Sequence, residues 1–425
     1  MPRIVVIGAG LAGLVAARHL ADAGYEVLVF ERDATVGGRV GSREVDGFTV
    51  DHGFQVLFTA YPAARRELDL ADLDLRRFPP GAVIARPGHR SPFADPFREP
   101  GVALSTLRTG EASLGDKLRL LALLVELRAR SSSELFPGPA RSIREHLALR
   151  GFSERFVDAF LKPFYGGITL DRSLSSAAAV FTYTFKMLAK GTAALPAEGM
   201  AAIPEQLAAR ASAVGATIQT DTPVSGVTVD REGPDSGVRI ELETDTATAD
   251  AAIMATDPLT AADLTGLETI PTEGRGCATQ YYSLPEPVEL RTGGRLLLNA
   301  AGAEPTHIAP LSAVAPEYAP PGKQLLAAVF LDPVPEDDET LAARSREALE
   351  AWYPDRSFDD LGVLATDRIP FAQFDQPPGR HASLPEPDDP AGPVYLAGDY
   401  TRWSSIQGAL RSGRDAAQAV RNARP

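Results

Sequence analysis

A chain of 425 residues is long enough for two or three lobes around a substantial core. Its 44% hydrophobic and 23% charged content is that of a soluble globular protein and excludes a disordered or fibrous one. A net charge of −14 argues against a nucleic-acid partner, so any bound phosphate must be held locally by backbone amides and single arginines. Cys277 is the only cysteine, which rules out disulfides within the chain, and the six histidines lack ligand spacing, so no metal is expected. The chain opens on PRIVVIGAG without a signal-peptide pattern, and no apolar run approaches the roughly 20 residues of a membrane span. A cytoplasmic protein is the expectation.

In chain order, RIVVI (Arg3 to Ile7) is a continuous apolar run, as in a parallel strand buried on both faces. Gly8-Ala9-Gly10-Leu11-Ala12-Gly13 follows, then a helical pattern to Gly24, then a second strand from Tyr25 to Phe30 ending on Glu31. This is the dinucleotide fingerprint in its strand–turn–helix–strand setting. Gly8 permits the turn, Gly10 lets the backbone approach a pyrophosphate, and Gly13 lets helix pack on strand. The helix N-terminus offers amides to phosphate, and Glu31 suits a ribose. Val36-Gly37-Gly38-Arg39-Val40 adds a second close backbone approach with a positive charge.

Residues 47–62, GFTVDHGFQVLFTAYP, set Asp51, His52 and Gln55 in an otherwise apolar run. The Pro-rich segment 78–100 reads as a crossover. Residues 113–130 form a helix with a broad apolar face, read as a core helix over a pocket, with an interfacial membrane helix as the alternative. Phe181, Tyr183, Phe185, Tyr281 and Tyr282 either line an apolar pocket or simply pack. For FTYTF itself, alternation suits a strand while its flanks suit a helix. Residues 216–230 read as two short strands joined at Pro223-Val224, followed by a hairpin and the strand DAAIMAT; 332–338 and 376–393 are loops. At the far end a strand meets Gly398-Asp399, and a helix starts near Gln407.

Together these motifs resemble the flavin family of amine oxidases, protoporphyrinogen oxidases and phytoene desaturases. Asp51, Gly53, Phe54, Val56-Leu57-Phe58, Ala60, Tyr61 and Pro62, with Ser405, Gly408, Ala409, Ser412 and Gly413, are similar to the plant-type and cyanobacterial phytoene desaturases. Leu161 to Gly167 is similar to the family's turn leading into a helical stretch, and Gly199-Met200 to its glycine-rich entry into a helix.

The resemblance implies an α/β, doubly wound FAD-binding domain (1–75, 195–260 and 370–425) interleaved with an α+β substrate domain (76–194 and 261–369). It implies FAD bound non-covalently by Gly8, Gly10, Leu11, Ala12, Gly13, Glu31, Arg32, Gly37, Gly38, Arg39, Val40, Gly53, Phe54, Gln55, Val224, Gly398, Asp399, Ile406, Gln407 and Ala409. Asp399 would take the ribityl chain, and the amides around Ile406, Gln407 and Gly408 would face the flavin ring, where a helix N-terminus stabilises negative charge. The implied reaction moves hydride from a hydrophobic, isoprenoid or carotenoid-like substrate to flavin N5 and forms a double bond. Peripheral membrane contact fits such a substrate; no catalytic residue and no electron acceptor is indicated.

The alternative is a flavin amine oxidase. Those enzymes generally carry a lysine near flavin N5 on a substrate-lobe strand, and residues 270–295 contain none. The chain's five lysines, Lys117, Lys162, Lys186, Lys190 and Lys323, lie elsewhere. Of the amine oxidases' paired aromatics, only Trp403 has a candidate.

Overall fold

The structure is a computed structural model. It describes residues 1–94, 98–99, 109–132, 135–136, 138–230, 237–286, 288–302, 304–331, 334–390 and 392–423. Residues 231–236 at the start of the expected hairpin, positions 332–333 and 391 of the expected loops, and parts of 95–100 lie outside the described residues.

A five-stranded, all-parallel sheet runs in the order Thr217–Gln219, Glu26–Phe30, Arg3–Ile7, Ala251–Met254, Val394–Leu396. Its strands are runs of Val, Ile and Ala because both faces are covered. Ile4 and Val6 face the helix Leu11–Asp22, which packs on Ala202–Ala213 and Ile406–Ala423. Val5 and Ile7 face the opposite way, onto a three-stranded antiparallel sheet of Val224–Asp230, Gly237–Leu242 and Thr246–Ala249. Gly413 sets the helix packing: a Cβ there would lie 2.1 Å from the Ala12 carbonyl oxygen.

A second, seven-stranded sheet has the order Gly362–Phe374, Gly274–Pro285, Lys323–Leu331, His307–Pro310, Leu297–Asn299, Ala82–Arg86, His89–Phe93. Its last two strands are a hairpin formed by part of the segment expected to be a crossover. Val83 and Ile84 in that hairpin are buried, which outweighs the surrounding prolines. On one face the sheet packs against the helix Asp338–Trp352, burying Tyr282, Phe330, Leu349 and Trp352. On the other face Tyr281, Leu298, Ala309 and Ala327 join the same core cluster as Ile4 and Val6 of the five-stranded sheet.

Strand alternation sends Tyr281 and Tyr282 to opposite faces. Tyr281 donates to the Asp51 carbonyl at 2.9 Å, and Tyr282, whose proton goes to the Gln280 side-chain oxygen, accepts from Ser345 at 2.8 Å. Both are packing residues. FTYTF lies within the helix Ala178–Lys190, so the flanking pattern overrides the alternation. Lys162–Thr169 is likewise a helix, continuing a π-helical turn at Val157–Leu161.

The helix Leu114–Ala129 starts on a Ser113–Asp116 capping box. Only Asp116, Leu123, Leu124 and Leu127 are buried along it. Leu114 (69% exposed), Leu118 (58%) and Val125 (61%) form an outward apolar stripe with Leu121. The helix covers a pocket as expected, since Leu114, Leu118, Leu121 and Leu124 line a cavity, but it is not wholly core: Leu114, Leu118 and Val125 stay exposed.

Candidate functional site

The turn after Arg3–Ile7 is closed by its own backbone. Gly8 N–H donates to the Phe30 carbonyl at 2.7 Å, and Gly37 N–H donates to Ala9 at 2.9 Å. Gly8 has φ +104, and a Cβ there would meet the Ala255 carbonyl oxygen at 2.7 Å. Glu31 is buried; its two oxygens accept the Ala9 amide at 2.7 Å and the Asp33 amide at 3.0 Å. It therefore holds both strand ends together, with further lone pairs for a ligand hydroxyl.

Gly10 is the residue whose missing side chain leaves room, since a Cβ would find only the Gly37 carbonyl, at 4.0 Å. Gly13 works differently. Its Cβ would sit 2.0 Å from the Gly8 carbonyl oxygen and 3.1 Å from Ala255 Cβ, so it permits the helix–turn contact.

Arg39 joins the two ends of the chain. Its Nη2 donates to Asp399 Oδ1 at 2.6 Å and its Nη1 donates to the Ala372 carbonyl at 3.1 Å. Burial opposes the Arg39 charge, but Asp399 outweighs it and holds the guanidinium above its ordinary range. Ser404 Oγ donates to the other Asp399 oxygen at 2.8 Å. Ser405 Oγ then accepts the Gly408 amide at 2.9 Å, capping the helix Ile406–Ala423. A Cβ at Gly408 would lie 2.0 Å from the Trp403 carbonyl oxygen, and Ser412 Oγ accepts the Gly398 amide at 2.9 Å. The small residues of the C-terminal motif thus fold the Gly398–Asp399 turn onto its helix.

These pieces line one continuous cavity of about 950 Å³. Gly8, Gly10, Leu11, Ala12, Glu31, Arg32, Gly37, Gly38, Arg39, Val40, Gly53, Phe54, Gln55, Val224, Gly398, Asp399, Ile406 and Ala409 all reach it. Two expected residues do not. Gly13 is spent on helix packing, and the Gln407 side chain turns away, its Oε1 accepting the Ala63 amide at 2.7 Å. Helical geometry separates Gln407 from Ile406 by about 100° and so takes it off the cavity face.

The question of the polar residues in 47–62 resolves residue by residue. Gln55 Nε2 donates to the Arg39 carbonyl at 2.6 Å, fixing this stretch beside the ion pair. His52 is exposed along the cavity wall. Asp51 does not reach the cavity; it is buried, accepting Ser42 Oγ at 2.7 Å, Met200 N–H at 2.9 Å and Tyr318 Oη at 3.2 Å. Burial pushes its carboxyl up to about 6, against the pull of those donors. Asp51 is a structural hub.

Past Phe54 the wall becomes apolar: Phe78, Phe93, Phe160, Phe164, Ile168, Leu188, Leu296 and Leu298, ending at Leu114, Leu118, Leu121 and Leu124. Tyr183 and Phe185 line it, whereas Phe181 is core. Trp403 also lines it, stacked on Phe136 with centroids 4.9 Å apart. On the strand Gly274–Pro285 the lining residue is Cys277. Among the described residues of the wall, the only acids are Glu31, Asp33, Asp257 and Asp399, all at the dinucleotide end, and the only lysine is Lys117, at the leucine end. His307 lines the wall too. The sequence carried no motif around it, so only the sheet register brings it there.

A family model described as flavin containing amine oxidoreductase matches residues 11–421. The 15-cis-phytoene desaturase of Synechococcus elongatus is 26% identical, over 98% of this chain and 95% of its own. The zeta-carotene desaturase of a Synechocystis species is 26% identical over 98% and 97%. Among solved structures, cyclohexylamine oxidase from Brevibacterium oxydans superposes with a TM-score of 0.70 at 18% identity, covering 99% of each chain. That last likeness is one of fold.

Proposed function

The chain belongs to the flavin-containing amine oxidoreductase family, and from that premise we propose that it is an FAD-dependent desaturase of an isoprenoid or carotenoid-like substrate. FAD is held without a covalent bond. Bound flavin supplies the hydride acceptor, at N5.

The residues divide the remaining work. The Gly10 and Gly37–Gly38 turns and the N-terminus of Leu11–Asp22 take the pyrophosphate. Glu31 takes a ribose, and Asp399, oriented by Arg39 and Ser404, takes the ribityl chain. The N-terminus of Ile406–Ala423 holds negative charge at the ring. The apolar gallery holds a long chain with its allylic C–H against the ring, excludes water, and converts a bimolecular encounter into a positioned one. The outward stripe of Leu114–Ala129 rests in a membrane surface, so that a lipid-soluble substrate enters by way of Leu114, Leu118 and Leu121.

One observation carries this reading over amine oxidation: among the described residues, the gallery beyond the dinucleotide end has no carboxylate to pair with an ammonium, and Cys277 is the strand residue facing it. Burying an unpaired ammonium among phenylalanines is strongly unfavourable, whereas a polyene is at home there. The test is anaerobic. Purified yellow protein is mixed with liposomes carrying phytoene, and the visible flavin band is followed. Bleaching with new polyene absorbance supports the proposal. Bleaching by a monoamine or polyamine instead would establish the amine oxidase reading, and no response to either would reject a hydrocarbon carotenoid as the substrate.

A further inference from the structure

Among the described residues, one ring nitrogen in the gallery wall has no partner and one hydroxyl has only a poor one. His307 lies on the strand His307–Pro310, only 3% exposed, and its Nε2 makes no hydrogen bond. Its ring meets Phe54 edge-on, with centroids 5.3 Å apart. On its other side it sits against Gly167 of the helix Lys162–Thr169; a Cβ at Gly167 would fall 2.8 Å from His307 Cε1, so the glycine makes room for the imidazole. Tyr165, on the same helix, is 1% exposed, and Thr184 is the partner beside its hydroxyl, too poorly aligned for a full hydrogen bond. The neighbouring Thr184 hydroxyl gives its own proton to the Val180 carbonyl at 2.7 Å. Both His307 and Tyr165 line the cavity.

A hydrocarbon filling this gallery would leave the His307 nitrogen unsatisfied and Tyr165 with only its poor Thr184 contact, and folded proteins rarely tolerate an orphaned buried group. We propose, building on the desaturase reading, that the gallery recognises a neutral oxygen function, a hydroxyl or carbonyl, through His307 and Tyr165, so that the substrate class is an oxygenated isoprenoid. Burial and then the Arg172 guanidinium push the imidazole down to about 4, so it is uncharged near neutral pH and offers one donor and one acceptor. Arg172 is itself engaged with Glu304 at 3.0 Å. Phe54 belongs to the stretch that Gln55 ties to Arg39, which sets the polar site toward the flavin end of the gallery.

The test uses the flavin-loaded protein and two probes, geranylgeraniol and the hydrocarbon lacking only its hydroxyl, titrated in detergent micelles against tryptophan fluorescence. Trp403 in the wall is the reporter. The expected result is about tenfold tighter binding of the alcohol, the ratio one good hydrogen bond supports. That ratio falls to within twofold of unity in His307→Phe and shrinks in Tyr165→Phe, which deletes only an oxygen; retained flavin checks the fold of each variant. Equal binding of both probes to the unmodified protein, as when ordered water already satisfies His307, overturns the oxygen proposal and leaves the isoprenoid reading standing. So does a preference that survives both substitutions. Failure of both probes to bind rejects the isoprenoid reading, and this proposal with it.

Discussion

Arg39 and Asp399, 360 positions apart in the chain, share a 2.6 Å ion pair that locks the second glycine turn to the Gly398–Asp399 turn. Asp399 is 3% exposed, so removing its partner leaves a buried charge held only by Ser404. Arg39→Ala is expected to weaken flavin binding at least tenfold, read as lost visible absorbance after desalting. Arg39→Lys, lacking the second donor to Ala372, should recover only part of it. A variant that stays fully yellow would contradict this role.

Gly10 and Gly13 separate cofactor binding from folding. Gly10→Ala puts a methyl into open cavity space, so the apoprotein should melt within about 2 °C of the unmodified chain, consistent with a ΔΔG under about 0.5 kcal/mol, yet lose flavin. Gly13→Ala collides with the Gly8 carbonyl and should cost about 1–3 kcal/mol in the apoprotein itself. Thermal melts with and without added FAD distinguish the two; the same outcome for both would be inconsistent with the packing described.

Asp51 makes stability depend on pH. Its folded carboxyl titrates near 6, above the ordinary range near 4. Its contribution is therefore fully present below about pH 4 and lost as the pH rises through about 6, by something on the order of 3 kcal/mol. Asp51→Asn should flatten that part of the stability profile. Asp51→Ala strands the Met200 amide and the Tyr318 hydroxyl and should be destabilised by about 1–3 kcal/mol throughout. Denaturant titrations at pH 4.5 and 7 measure both.

The leucine stripe is expected to bind lipid. Val125 is exposed and lies outside the cavity wall, so Val125→Glu should lower liposome flotation severalfold while leaving the melting temperature unchanged. Equal flotation would argue for some other role for the stripe.

Flavin attachment has a simple check. Cys277 and His52 both reach the cavity, yet acid precipitation is expected to leave the yellow colour in the supernatant. A yellow pellet would mean a covalent bond to one of them.

The sequence by itself determined the parallel strands, the two glycine turns, the presence of the last helix and hence the flavoprotein family, because each rests on local requirements. An unbroken Val/Ile run and a glycine where no Cβ fits are both read within a few residues. Tertiary structure decided which side chains face the cavity. Asp51 and Gln407 sit inside cofactor motifs but turn away, because Met200, Tyr318 and Ala63, all distant in sequence from at least one of them, claim their oxygens. His307 enters the gallery only because Val329 and Leu298 flank it in the sheet, and Gly167 makes room beside it. The stripe on Leu114–Ala129 is bare because no other described element covers it, and amphipathic spacing alone does not say which face is covered.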